Sequence, residues 1–265
     1  MPQVAVRILH AEPGRAAGPL ERLLADTRAV LAERHRGAFQ AAGADDVAVV
    51  ADPPDDTPFG ARLRRLAAEA GERGLVVLGS GAIPLARAAD IRQFVAIAAS
   101  GEPRALVNNR YSADIVAVGR AEVMSGLPDL PADNALPRWL DEVAGIAVED
   151  LRSRWRLAID LDSPLDVLLV SPGVVGPFEL ARDRLRRAAA VMADRRGELL
   201  VAGRSSADAL RWLERRTACR VRAVIEERGL RAGSRLASPG EAPPARPPAS
   251  ALGLLLDRDG PGALG

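Results

Sequence analysis

Apolar residues fall in short runs separated by longer stretches of helical spacing, and this alternation organises most of the chain. Residues 4–9 (Val-Ala-Val-Arg-Ile-Leu) read as a buried strand, followed by a Gly/Pro loop over 11–19. Residues 20–42 have helical spacing, with Leu23, Leu24, Val30 and Leu31 on one face and Gly43 as the stop. A second strand at 47–50 is closed by Asp52-Pro53-Pro54, a strong breaker. A helix over 59–70 turns Leu63 and Leu66 inward, and a third strand at 75–78 opens into Gly79-Ser80-Gly81-Ala82-Ile83-Pro84-Leu85. A helix at 88–100 and an extended segment from 105 continue the series. Strands alternating with helices at this spacing predict an α/β fold, a mostly parallel sheet with helices on both faces. In such sheets ligands gather at the carboxyl ends of the strands. Those ends are 11–19, 52–57, 79–84 and 108–114, with 160–166 later.

The pattern restarts beyond Asp166. A helix is expected at 178–195, a strand at 198–202, a helix at 207–215 and a strand at 219–225. A Pro- and Ala-rich loop covers 237–250, and 251–257 forms a last short element. Two units in series are therefore expected: a larger α/β domain over 1–170 and a smaller α/β unit over 171–265. The second either folds back over the first unit's site or makes a homodimer.

Composition removes several chemistries. All 36 basic residues are arginine, so no catalytic lysine exists. One cysteine excludes an internal disulfide or a cysteine-based metal site, and two histidines are too few for zinc without carboxylates. The formal net charge of +1 gives no sign of a nucleic-acid partner. It divides unevenly: residues 1–166 carry 19 Arg against 24 acids, a net of −5, and the remainder 17 Arg against 11, a net of +6. No run reaches membrane-spanning length, and the amino terminus lacks a signal-like pattern, so a soluble cytoplasmic protein is expected.

The densest candidate chemistry lies at 156–166, Arg-Leu-Ala-Ile-Asp-Leu-Asp-Ser-Pro-Leu-Asp. Taken as an apolar strand running into carboxylates, it puts Asp160 and Asp162 on one side of the chain. Adjacent carboxylates repel unless a cation sits between them, and Mg²⁺ takes oxygen ligands. The plainer alternative is a turn into a helix, with Asp162 or Ser163 as N-cap and Pro164 at the first helical position. Asn108-Asn109-Arg110 offers donors and acceptors to a base or sugar, or simply a turn. Gly203-Arg204-Ser205-Ser206 is either an anion site or an ordinary helix cap, and Asp133-Asn134 is a cap.

Residues 4–170 resemble the nucleotidyltransferase fold of the glycosyltransferase-A type, nearest the molybdenum-cofactor guanylyltransferase-like group and the phospholactate guanylyltransferases. The likeness rests on the loop Glu12-Pro13-Gly14-Arg15-Ala16-Ala17-Gly18, on Gly79–Leu85 followed by Asp90-Ile91, and on Asp160-Leu161-Asp162-Ser163-Pro164-Leu165-Asp166. The last is similar to the family's closing Asp-x-Asp-Thr-Pro-x-Asp. The resemblance implies a reaction between a nucleoside triphosphate and a small phosphorylated acceptor, releasing pyrophosphate with Mg²⁺. Asp160 and Asp162 would act as catalytic metal contacts, and Asp114, at the neighbouring strand end, would supply a carboxylate in place of one the family carries elsewhere. Gly14, Arg15, Gly79, Ser80, Asn108 and Asn109 would bind the nucleotide. The family's phosphate-loop lysine is absent, leaving Arg15 and Arg22, and Gly81 stands where relatives carry a metal-binding aspartate. Those departures define an alternative, a non-catalytic nucleotide- or ligand-binding protein. A further alternative is a nucleotide-sugar-dependent glycosyltransferase, because Asp160-Leu161-Asp162 has the Asp-x-Asp form.

Overall fold

The computed structural model describes residues 3–52, 57–130, 135–171, 173–174, 176–226 and 249–264. Its contacts divide the chain into Met1–Gly176 and Pro177–Gly265. Asp133-Asn134, Pro53-Pro54 and most of the Pro-rich stretch at 237–250 lie outside the described residues.

The first unit is a six-stranded, mostly parallel sheet. Its strands are β1 (Val4–Ala11), β2 (Asp46–Asp52), β3 (Gly74–Gly79), β4 (Arg104–Val107), β5 (Ile115–Val118) and β6 (Ala147–Asp150), in the order β2-β1-β3-β5-β4-β6. β5 alone runs against its neighbours β3 and β4. Alternate residues of each strand face opposite cores. Ile8, Leu78 and Leu106 meet Phe39 and Phe94, from α1 (Pro19–Ala41) and α3 (Ala88–Ala98), on one face. Leu75, Val77 and Val116 meet Leu63, Leu66 and Leu136, from α2 (Phe59–Ala70) and α4 (Leu136–Glu142), on the other. Because both faces are covered, the strands read as near-continuous apolar runs.

Two strands were not legible. β5 and β6 are four residues each, and β5 arrives by a hairpin rather than a crossover helix. The stretch expected as a strand before Asp160 is instead a 3₁₀ turn, Trp155–Leu157, and only Asp160 keeps a bridge, to Ala82. The reason is side-chain bonding: Arg154 and Arg156 both reach the buried Asp90, which curls the backbone that carries them. From Ser163 onward the helical alternative is the one observed. Ser163 is the N-cap of α5 (Pro164–Val170), and the Asp166 carboxylate returns to the Ser163 amide at 2.7 Å.

The second unit contains α6 (Glu179–Ala193), β7 (Glu198–Gly203), α7 (Ala207–Arg216), β8 (Arg220–Ile225) and α8 (Ala251–Asp259). β7 and β8 pair in parallel. Of the two readings of 203–206 the cap is observed: the Ser206 hydroxyl accepts the Ala209 amide at 3.0 Å. Among the described residues no helix is long and apolar enough to cross a membrane.

Candidate functional site

Two carboxylates, Asp160 and Asp162, meet at the carboxyl edge of the first sheet, with a third, Asp114, near enough for its charge to act on Asp160, each delivered by a different local device. Asp114 precedes β5, whose reversed direction brings its first residues to the edge where β1, β3 and β4 end. Asn108, 1 % exposed, fixes it there. The Asn108 amide donates to the Asp114 carboxylate at 2.8 Å and to the Leu157 carbonyl at 2.9 Å, while its oxygen accepts the Asp114 amide at 3.0 Å. Both amide hydrogens are thereby used, so Asn108 sets the wall of the site. Asn109 closes a turn by accepting the Tyr111 amide at 3.0 Å.

Asp160 lies against the loop after β3. The Leu161 amide donates to the Gly81 carbonyl at 3.1 Å and the Asp160 carboxylate accepts the Leu161 amide at 2.8 Å. A Cβ on Gly81 would stand 2.8 Å from Asp160 Oδ1 and 3.0 Å from the Leu161 oxygen, so glycine is what admits Asp160 here. Burial first, then the neighbouring charges of Asp162 and Asp114 and a hydrogen bond with Asp162, push the Asp160 carboxyl up to about 7. Asp162 is exposed and meets Arg28 at 3.3 Å.

Arg28 was not foreseen, although one signal existed: it falls on the face of α1 shared by Leu24, Ala25, Leu31 and Ala32, where an arginine is out of place. Besides Asp162 it donates from Nε to the Leu161 carbonyl at 2.6 Å. The same helix holds the Gly79–Pro84 loop. His35, 2 % exposed, donates from Nε2 to the Ala82 carbonyl at 2.8 Å, and Arg34 binds the Pro84 carbonyl. Ile83 between them is buried with φ of 43°, a strained conformation for a β-branched residue. Burial keeps the His35 imidazole neutral, lowering its pKa to about 4.

Ser80 is buried beside His10 at the ends of β3 and β1, with its hydroxyl 3.0 Å from His10 Nδ1. Gly79 donates its amide to the Asp114 carbonyl at 3.1 Å. A cavity of about 110 Å³ opens here, lined by Leu9, Phe59, Leu63, Gly79, Asp114 and Asp160. A second hollow of about 450 Å³ lies under the first loop, lined by Glu12, Gly14, Ala17, Glu21, Leu24 and Arg28. Two of that loop's amides are already used: Ala17 donates to the Gly14 carbonyl at 2.9 Å and Gly18 to Glu21 at 2.7 Å. Among the described residues, no three His, Cys, Asp or Glu side chains are grouped closely enough to hold a metal ion by themselves.

No protein-family profile matches this sequence, and no curated protein matches it. Among solved structures the chain is similar to a nucleotidyl transferase from Methanothermobacter thermautotroptrophicus (Mth528), with 16 % identity and a TM-score of 0.45 over 70 % of this chain and 99 % of that one. It is also similar to Rv0371c from Mycobacterium tuberculosis H37Rv, with 18 % identity and a TM-score of 0.38 over 65 % and 98 %. At that distance residue roles are read from this chain's own geometry.

Proposed function

We propose that the first unit is a Mg²⁺-dependent nucleotidyltransferase-like site, acting on a nucleoside triphosphate and a small phosphorylated acceptor. The observation that carries this reading is the convergence of Asp114, Asp160 and Asp162 at the sheet's carboxyl edge, where Asp160 keeps its proton up to about 7. Such a cluster stores repulsion that a hard cation relieves, and its donors are all oxygen, the chemistry Mg²⁺ prefers. Asp160 and Asp162 would hold the ion, with Asp114 beside them. When bound, the ion would neutralise charge on the transferring phosphate.

The chain's own residues supply position. Arg28 ties Asp162 to the Leu161 backbone, and Asn108 holds Asp114. Gly14 and Arg15 in the first loop face the hollow or flank it, suiting them to phosphates through backbone amides and a guanidinium. Gly79, which lines the smaller cavity, Ser80 beside it and Asn109 in the turn after β4 would contact the nucleotide. In the reaction an acceptor oxygen bonds to the α-phosphorus, the bond to the β-phosphate oxygen breaks, and pyrophosphate leaves.

A second reading, a binding protein without catalysis, draws on Gly81. The carboxylate that relatives place there is absent, and Asp160 occupies the adjoining space, bonded to its own backbone and to Asp162.

Thermal unfolding with each of ATP, GTP, CTP and UTP, with and without Mg²⁺, tests both. A ligand at a hundred times its dissociation constant raises stability by about 2.7 kcal/mol. A Mg²⁺-dependent shift with one base, lost in Asp162→Ala, is the expected outcome, and pyrophosphate release with an acceptor then marks the enzyme. A shift without release supports the binding protein; release of nucleoside diphosphate marks the sugar transferase. No shift with any nucleotide sinks the proposal.

A further inference from the structure

The second unit carries a sheet that is incomplete by the ordinary rules of β-structure. Parallel strands occur with both faces covered, and two strands alone are marginal in water. Yet β7 and β8 pair only with each other among the described residues. Leu200, Val224 and Ile225 are 46 %, 50 % and 46 % exposed. A groove of about 560 Å³ runs between α7 and β8, lined by Leu210, Arg211 and Glu214 from the helix and Val221 and Ala223 from the strand. Arg220, at the start of β8, has no ionic partner among the described residues, whereas Arg222 meets Glu198 at 3.7 Å.

We propose that the free edge of β8 pairs with β8 of a second copy of this chain, antiparallel about a two-fold axis through Ala223. The sequence of the strand selects this occupant and this register. Val221, Ala223 and Ile225 face α7, while Arg220, Arg222 and Val224 face away. A one-residue slip would set one copy's apolar face against the other's polar face. Of the registers that avoid this, centring on Arg222 stacks two arginines across the axis, and centring on Val224 leaves Arg220 beyond the partner strand. Centring on Ala223 uses the whole strand. Val221 then meets Ile225 of the second copy, and Arg220 meets Glu226 of the second copy, twice by symmetry. Glu226 already accepts from the Ser250 hydroxyl at 3.2 Å and the Leu252 amide at 3.1 Å, and a carboxylate retains acceptor capacity beyond those two bonds. The paired sheet has four strands, and the groove beside α7 receives the second copy's edge. This assembly is independent of the chemistry proposed for the first unit.

The test uses the full chain. Light scattering across a concentration series is expected to show a dimer whose dissociation constant rises with salt. Arg220→Glu replaces two attractions with two repulsions and should weaken the dimer by about tenfold or more. Arg186→Glu, an exposed change on α6, should leave it unaltered. The single cysteine, Cys219, provides a readout that needs no mutation. Four residues from the axis on each copy, the two cysteines stand about 26 Å apart along the strands, within reach of spin-label distance measurement. A monomer at about 100 µM, measured in the concentration range where specific interfaces of moderate strength persist, overturns the proposal. A dimer indifferent to Arg220→Glu, or one with an inter-cysteine distance far from that value, overturns it equally.

Discussion

Gly81 shows how one missing side chain shapes the site. The resemblance marks it as a lost ligand, whereas the structure gives it a positive role, because Asp160 Oδ1, the Leu161 oxygen and Arg28 Nε all fall within 3.1 Å of where a Cβ would stand. None of the three is a free side-chain end: each belongs to the network that holds Asp160 and Asp162. Gly81→Ala should therefore destabilise the first unit by about 1–3 kcal/mol, the usual cost of overpacking, measured by chemical unfolding. It should also abolish any Mg²⁺-dependent nucleotide shift. His35 gives a second prediction at this scale. Its folded pKa of about 4 lies below the ordinary histidine value of 6.5. The unfolded chain takes up a proton as pH falls below 6.5, and the folded chain does not until about 4. The contribution of neutral His35 is thus present above 6.5 and is lost through that window, up to about 3 kcal/mol. Asp160 works in the opposite sense, since its raised pKa makes the fold less stable as pH rises from about 4 to 7. The comparison to make is therefore wild type against His35→Gln. Their difference in unfolding free energy should shrink steadily from pH 6.5 to 4, and a constant difference would refute the assignment.

Between elements, the contact that does most to deliver the site is Asp90. At the N-terminus of α3 it accepts the Arg87 amide at 2.9 Å and binds Arg154 and Arg156, the first preceding and the second lying within the 3₁₀ turn that leads to Asp160. Burial alone would raise its pKa, but Arg156, the Arg87 amide and Arg154 outweigh it and hold the carboxylate below the usual range. Asp90→Asn keeps an oxygen for the Arg87 amide while removing the charge, leaving two guanidiniums against a neutral amide. The expected loss is about 3 kcal/mol, read as a lowered midpoint in urea; a change under about 0.5 kcal/mol would mean the pairs contribute nothing beyond the cap. The sequence made Asp90 visible only as part of a motif. Its partners lie more than sixty positions away, and no local pattern connects them. The same limit explains the mistaken strand at 156–159. Alternation of Leu157, Ile159 and Leu161 is the period of a strand, and a long-range ionic clamp overrode it.

Across the whole molecule, the alternating pattern made the order of the long elements readable because strongly periodic segments bury one face each. α1, α2 and α7 fall within a residue or two of their expected bounds. What escaped were elements whose identity depends on neighbours. β5 is a fully buried four-residue run whose direction is set by a hairpin, and β6 alternates weakly at the sheet edge. The candidate site was legible in the same uneven way. Asp114, Asp160 and Asp162 converge, but Asn108, expected at a ligand, is committed to holding Asp114. Arg28 entered only through its place on the inward face of α1. The second unit, read from sequence as a smaller α/β unit with strands at 198–202 and 219–225, shows those two strands among the described residues, and the proposed pairing with a second copy would extend them.

The bond from Arg28 to the Leu161 carbonyl spans 133 positions. It ties the first helix to the segment that carries Asp160 and Asp162. A contact of that separation carries a large loop-closure cost, so the closure that gathers the three carboxylates is expected after the sheet's local crossovers. On that order the repulsion within the site would arise late, once the carboxylates are gathered. A cation bound as proposed would relieve it at that step, as a clasp that slows reopening while leaving earlier folding untouched.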